Sequence, residues 1–227
     1  MKRRVSVSMS LNLAARFGVA ALLAACGWMI FLFAPREITM GDVQRIVYLH
    51  VAVAWCGLVG CVAMGLTAAA YLARRNPIWD HWSQAAGELG WLCATLTLAT
   101  GSLWAHEAWN TWWTWEPRLT ASLVLWTVFA GYFLVRASIE DEQRRARLSA
   151  VLAILALADV PLVIMATRWF RGIHPVTPEM DPWMRIVLLI SIVSFSALFI
   201  LLAILRKEQL ELAARVLSRE RQTGLVN

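Results

Sequence analysis

Along the 227 residues of the chain, polar positions gather in short clusters and apolar positions in long runs. Six runs, near 14–34, 46–73, 83–104, 119–139, 148–168 and 183–205, are each long enough to cross a bilayer, which takes about 20 residues of helix. They are rich in Ala, Leu, Val and Ile, and none alternates apolar and polar positions as a barrel strand does. The pattern therefore predicts α-helices. The gaps between runs hold Pro, Asn, Asp and Arg, and none has room for a folded soluble domain. No internal repeat or low-complexity tract stands out. The expected architecture is all-α, a single six-helix membrane domain over residues 1–227.

Composition narrows the class. Hydrophobic residues make up 59% of the chain and charged residues 16%, and the mean hydropathy is +0.60. A soluble domain carries about 45–50% apolar and about 25% charged residues. A soluble globular enzyme, a disordered tail and a fibrous protein are thereby excluded. The first run contains Leu23-Ala24-Ala25-Cys26 after a basic start (Lys2, Arg3, Arg4), which resembles a lipoprotein processing site. The apolar run continues through Trp28, Met29, Ile30, Phe31, Leu32 and Phe33, so it is read as an uncleaved span.

Charge sets the expected orientation. Fifteen of the 21 Lys and Arg residues fall at the N-terminus, in the second and fourth loops and in the C-terminal tail. The remaining six are Arg36, Arg45, Arg118, Arg168, Arg171 and Arg185, in the first, third and fifth loops. The rule that cytoplasmic loops are basic predicts both termini inside and the odd loops outside. The net charge of +6 is thus largely a topology signal, and no basic motif or domain is available to bind nucleic acid. Six acids lie on the same outer side: Glu37, Asp42, Glu107, Glu116, Glu179 and Asp181.

The chain has 13 Trp residues beside only three Tyr and eight Phe. Five of them, Trp104, Trp109, Trp112, Trp113 and Trp115, crowd the third loop, residues 104–120. An interfacial belt places one or two aromatics at each helix end; this density predicts a platform for a large planar apolar ligand, since indole faces give stacking area at low entropic cost. Of the four histidines, His81 reads as an interfacial residue of the second loop and His106 as part of the polar rim of the Trp loop. His50, at the outer start of the second run, is a candidate ligand because an ionisable group inside a span is a functional hypothesis by default, and His174, in the fifth loop, joins it through topology. In a serpentine chain both face the same side as the Trp loop. Two imidazoles beside a bed of indoles are the parts that hold an iron porphyrin, with Arg45, Arg118, Arg168 and Arg171 available for its propionates. Cys26, Cys56, Cys61 and Cys93 all lie in apolar runs and form no CxxC or CxxCH pattern, so any haem held here is held non-covalently. Asp159, two residues before Pro161, and Glu88 lie within runs; they are read as a helix-break cap and an inner-edge rim, without evident partners.

The run Trp109-Asn110-Thr111-Trp112-Trp113-Thr114-Trp115-Glu116-Pro117-Arg118-Leu119-Thr120 resembles the tryptophan-rich signature of haem-handling membrane proteins. Together with the six spans, Tyr48-Leu49-His50-Val51 and His174, it is similar to the CcmC family of the bacterial cytochrome c maturation system. Asn110 stands where that family usually has Gly, and Glu116 where it usually has Asp. Asn tolerates left-handed backbone geometry better than most residues, and Glu keeps the charge one methylene further out. The resemblance implies a transfer protein rather than an enzyme. It would bind haem b transiently at the outer face of the inner membrane through His50 and His174 and deliver it to the periplasmic haem chaperone CcmE. It would work beside the ABC transporter pair CcmA and CcmB and the small protein CcmD. The competing readings are a haem–apocytochrome ligase component like CcsA, which shares the signature but has more spans and a second histidine pair, and a membrane b-type electron carrier.

Overall fold

The computed structural model describes residues 2–170, 172, 174 and 180–223; side chains are described from residue 13 onward, except that of Thr167. Six long helices form in chain order: α1 Lys2–Trp28, α2 Arg45–Arg74, α3 Pro77–Trp109, α4 Pro117–Ser138, α5 Glu142–Trp169 and α6 Pro182–Thr223. Among the described residues there is no strand. Each of the six apolar runs is found in a helix. Five of the helices are long and apolar enough to cross a membrane. The exception is α3. Its middle carries Thr95, Thr97, Thr100, Gly101 and Ser102, whose hydroxyls and bare backbone lower its hydropathy although it is 33 residues long.

Helix ends follow local chemistry. Pro117 and Pro182 open α4 and α6, where the missing N–H costs nothing. Asp141 caps α5 by accepting from the Arg144 amide at 2.6 Å. Asn76 accepts from the Ile78 amide at 3.1 Å before α3. α1 passes into a π-helical turn, Met29–Phe33. Two expected boundaries shift. The sixth run was expected to end near 205, but α6 continues to Thr223. Its polar tail stays helical through pairs one turn apart, Lys207 with Glu211 at 2.8 Å and Glu211 with Arg215 at 3.7 Å. The third run was expected to end at 104, but α3 reaches Trp109.

The chain divides into two compact units. One takes in Met1–Cys56, Leu96–Thr114 and Thr177–Leu201. Its core is Cys26, Ile30, Val47, Tyr48, Trp104, Met184 and Val187 with their neighbours. The other takes in Gly57–Thr95, Trp115–Val176 and Leu202–Asn227. Its core runs through Cys61, Met64, Phe129, Tyr132 and the alanines of α5 at 146, 150, 153 and 156. Small residues let helices approach closely there, as is common between membrane helices. A Cβ on Gly65 would lie 2.6 Å from the Leu157 Cβ, and one on Gly90 would lie 3.4 Å from the Gly60 backbone.

Two arginines of the second unit each hold a carboxylate. Arg136 binds Asp80 through two hydrogen bonds and also donates to Gln84 Oε1 at 2.6 Å. Glu88 has a partner that the sequence did not reveal: Arg206 donates to it at 2.5 and 3.0 Å, and Gln84 adds a third bond at 2.9 Å. The expectation that Glu88 lacks a partner is therefore corrected. The two groups are 118 residues apart, so no local pattern announces the pair. Asp159 is buried, and its Oδ2 has no hydrogen-bond partner among the described residues.

Candidate functional site

The tryptophan-rich segment is built in two parts. Trp104, His106, Glu107 and Trp109 ride on the last turns of α3. Asn110 then takes the left-handed conformation, with φ +54. Its amide donates to the His106 carbonyl at 2.9 Å, which closes the helix. This is the conformation that glycine adopts most easily and asparagine next. The segment expected as a loop over 104–120 is therefore non-helical only over 110–116, between α3 and α4. Within it the Ser102 hydroxyl donates to the Trp112 carbonyl at 2.7 Å, and the Thr111 hydroxyl to the Trp113 carbonyl at 3.1 Å.

The five indoles differ in exposure. Trp104 is buried at 6%, packed 5.2 Å from Trp109, and belongs to the core of the first unit. Trp109, Trp112 and Trp115 are exposed at 37%, 54% and 76%. Trp113 is half-buried. His106 stacks on Trp112 with centroids 4.0 Å apart, and its Nδ1 lies 3.0 Å from Glu107 Oε1. His106 thus forms part of the aromatic surface.

His50 lies on the second turn of α2, half-buried, in the first unit. Its Nδ1 is 3.0 Å from Thr100 Oγ1 of α3. A Cβ on Gly101 would lie 2.9 Å from the His50 Cε1. Neither Thr100 nor Gly101 was singled out from the sequence. Arg45, one turn earlier, is already engaged: its Nε lies 3.1 Å from Asp42 Oδ1, and its Nη1 donates to the Ile30 carbonyl.

The second unit holds the rest. Glu116 is the N-cap residue of α4, Pro117 opens the helix, and Arg118 stands half-buried in the first turn. The carboxylate makes no cap bond. Its negative charge still suits a helix N-terminus. A Cβ on Gly172 would lie 2.9 Å from the Glu116 Cδ, so the chain two residues before His174 passes directly against the tryptophan motif's acid. No sequence signal links these two positions. His174 is half-buried, and Arg168 is exposed near the end of α5. Arg171 and Glu179 lie outside the described residues. His81, at the other end of α3, is half-buried; burial holds its imidazole below the usual range against the pull of Asp80, Glu211 and Glu142. Among the described residues no cluster of His, Cys, Asp and Glu is arranged to hold a bare metal ion.

Comparison with known proteins gives the family. The family model described as Heme exporter protein C matches residues 2–225. The Heme exporter protein C of Bradyrhizobium diazoefficiens is 30% identical over 205 residues, covering 86% of this chain and 78% of that one. That of Rhodobacter capsulatus is 31% identical over 198 residues, 83% and 81% of the two chains. That of Escherichia coli K12 is 28% identical over 196 residues, 84% and 80%. The match runs through all six helices and the tryptophan segment, and the chain belongs to the Heme exporter protein C family, CcmC.

Proposed function

We propose that this protein binds haem b non-covalently at the outer face of the bacterial inner membrane and presents it to a periplasmic haem chaperone of the CcmE type during cytochrome c maturation. Six spans place both termini in the cytoplasm, with α3 as the sixth; the fifteen-to-six distribution of Lys and Arg supports that orientation. His50 and His174 are the axial ligands. Trp109, Trp112, Trp113 and Trp115 supply the ring faces, and Trp104 backs them from the core. Arg118 holds a propionate through its planar fork, with Glu116 beside it. Arg45 adds charge while its guanidinium stays bound to Asp42 and Ile30. Haem supplies the iron and the macrocycle; this chain's part is to ligate, stack and release it. CcmA, CcmB and CcmD are the proposed membrane partners.

The observation that carries this reading is the form of the tryptophan segment. Three indoles stand exposed, Trp109 at the end of α3 and Trp112 and Trp115 on the seven non-helical residues that follow, which are too few to enclose a second substrate. A shallow platform leaves one haem edge accessible, which suits hand-over to another protein. The test is photocrosslinking from Trp113 after co-expression with the chaperone; Val176, outside the described residues, offers a second attachment point. Haem-dependent crosslinks to the chaperone are expected. Purified protein that joins haem to an apocytochrome with no other component would overturn the reading in favour of a ligase.

A further inference from the structure

We propose that Thr100 and Gly101 of α3 are positioning residues that fix the tautomer and the orientation of the His50 ring, so that Nε2 is the nitrogen offered to iron. The proposal rests on the reading of His50 as an axial ligand and adds two residues of a neighbouring helix that bears no ligand itself.

Hydrogen-bond bookkeeping determines the tautomer. Thr100 Oγ1 lies 2.6 Å from the Leu96 carbonyl and 3.4 Å from that of Thr97. The same oxygen lies 3.0 Å from His50 Nδ1. A carbonyl only accepts, and a hydroxyl has a single hydrogen. With that hydrogen directed at Leu96, Oγ1 presents a lone pair to the ring, and Nδ1 must carry the proton. The lone pair of the neutral imidazole is then on Nε2. A hydrogen bond from the distal N–H is the usual device by which a protein orients a ligating histidine and raises the basicity of its donor nitrogen. Here the device runs from a side chain of α2 through a hydroxyl to a backbone carbonyl of α3.

Gly101 supplies the clearance. A Cβ there would stand 2.9 Å from Cε1, 3.5 Å from Nδ1 and 3.9 Å from Nε2 of His50. The residue sits inside a helix, where glycine is about 1 kcal/mol less favourable than alanine. Left-handed geometry does not explain its presence, because among the described residues the one glycine with positive φ is Gly41. Contact with the imidazole does.

The test uses the full-length protein with 15N-labelled histidine, reconstituted without haem at a pH where imidazole is neutral. Ring-nitrogen shifts report the tautomer, and with four histidines in the chain the His50 signal is identified by its loss in His50→Gln. Protonation at Nδ1 is expected in the unsubstituted protein. Thr100→Val should move the proton to Nε2, and Thr100→Ser should restore it. After haem loading, Thr100→Val should raise the midpoint potential and speed haem loss several-fold, and Gly101→Ala should lower retention. Gly131→Ala, whose added Cβ would meet nothing within 4 Å, should match the unsubstituted protein. Normal haem content and spectrum in His50→Ala would overturn the ligand assignment, and this proposal with it. Haem loss in His50→Ala combined with an unchanged tautomer and potential in Thr100→Val would overturn the proposal alone.

Discussion

Arg136 grips both carboxylate oxygens of Asp80, with Nη1 2.8 Å from Oδ1 and Nη2 2.9 Å from Oδ2. The pair joins α4 to the first turn of α3, with side chains exposed at only 8% and 11%. Removing one partner of a buried pair strands the other, at about 3–5 kcal/mol. Asp80→Asn should therefore lower stability by about 3 kcal/mol, the low end of that range, because Gln84 still accepts from the guanidinium. The double variant Asp80→Asn, Arg136→Met should lose less than the sum of the two single changes. Thermal unfolding in detergent checks both; additive losses would show that the two groups do not act as a pair.

Topology is tested by reporter fusions after Arg75, Thr111, Arg145 and His174. The expected readings are inside, outside, inside and outside, following the positive-inside rule. An inside reading at Thr111 would remove the shared outer face on which the haem reading depends, and would take α3 off the list of spans.

Replacing His50 or His174 by Ala should reduce haem retention, with partial recovery in millimolar imidazole as the free ligand fills the vacant axial position. The reduced and oxidised optical spectra of each purified variant measure this. Wild-type spectra in both would shift attention to His106, stacked on Trp112.

The six helices were legible because hydropathy and helix length report the same physical demand, that backbone groups in lipid be satisfied within one segment. Helix ends were less so. Hydropathy marks where apolar solvent stops, whereas backbone hydrogen bonding carries α6 on as far as Thr223 and α3 as far as the left-handed Asn110. Asn110 itself was legible, since its tolerance of positive φ belongs to the residue. Trp104 shows the opposite case. A core indole and an exposed indole are the same letter, and only a place in the core with Tyr48, Val47 and Met184 separates them. Glu88 and Thr100 were opaque for a related reason: each acquires its role from a residue on another helix.

The tryptophan surface predicts a graded response. Trp112→Phe should retain more haem than Trp112→Ala, because a phenyl ring keeps part of the stacking area. Arg118→Lys should be impaired, because a point charge does not reproduce a bidentate fork. Quantitative haem extraction from equal amounts of purified protein ranks them. Equal, wild-type haem content in all three would return the segment to the role of a membrane-interface anchor.

With His50 as the proposed ligand, its contact with Thr100 and Gly101 bears on how haem would be released. The ring meets α3 at one hydroxyl and one gap, on consecutive residues. Sliding α3 along α2 by a single residue rise, about 1.5 Å, would draw the Thr100 hydroxyl away from Nδ1 and carry the gap at Gly101 off the imidazole. Grip on iron would then depend on the register of two helices, and a displacement of less than half the residue step of an extended chain, about 3.3 Å, would be enough to change it.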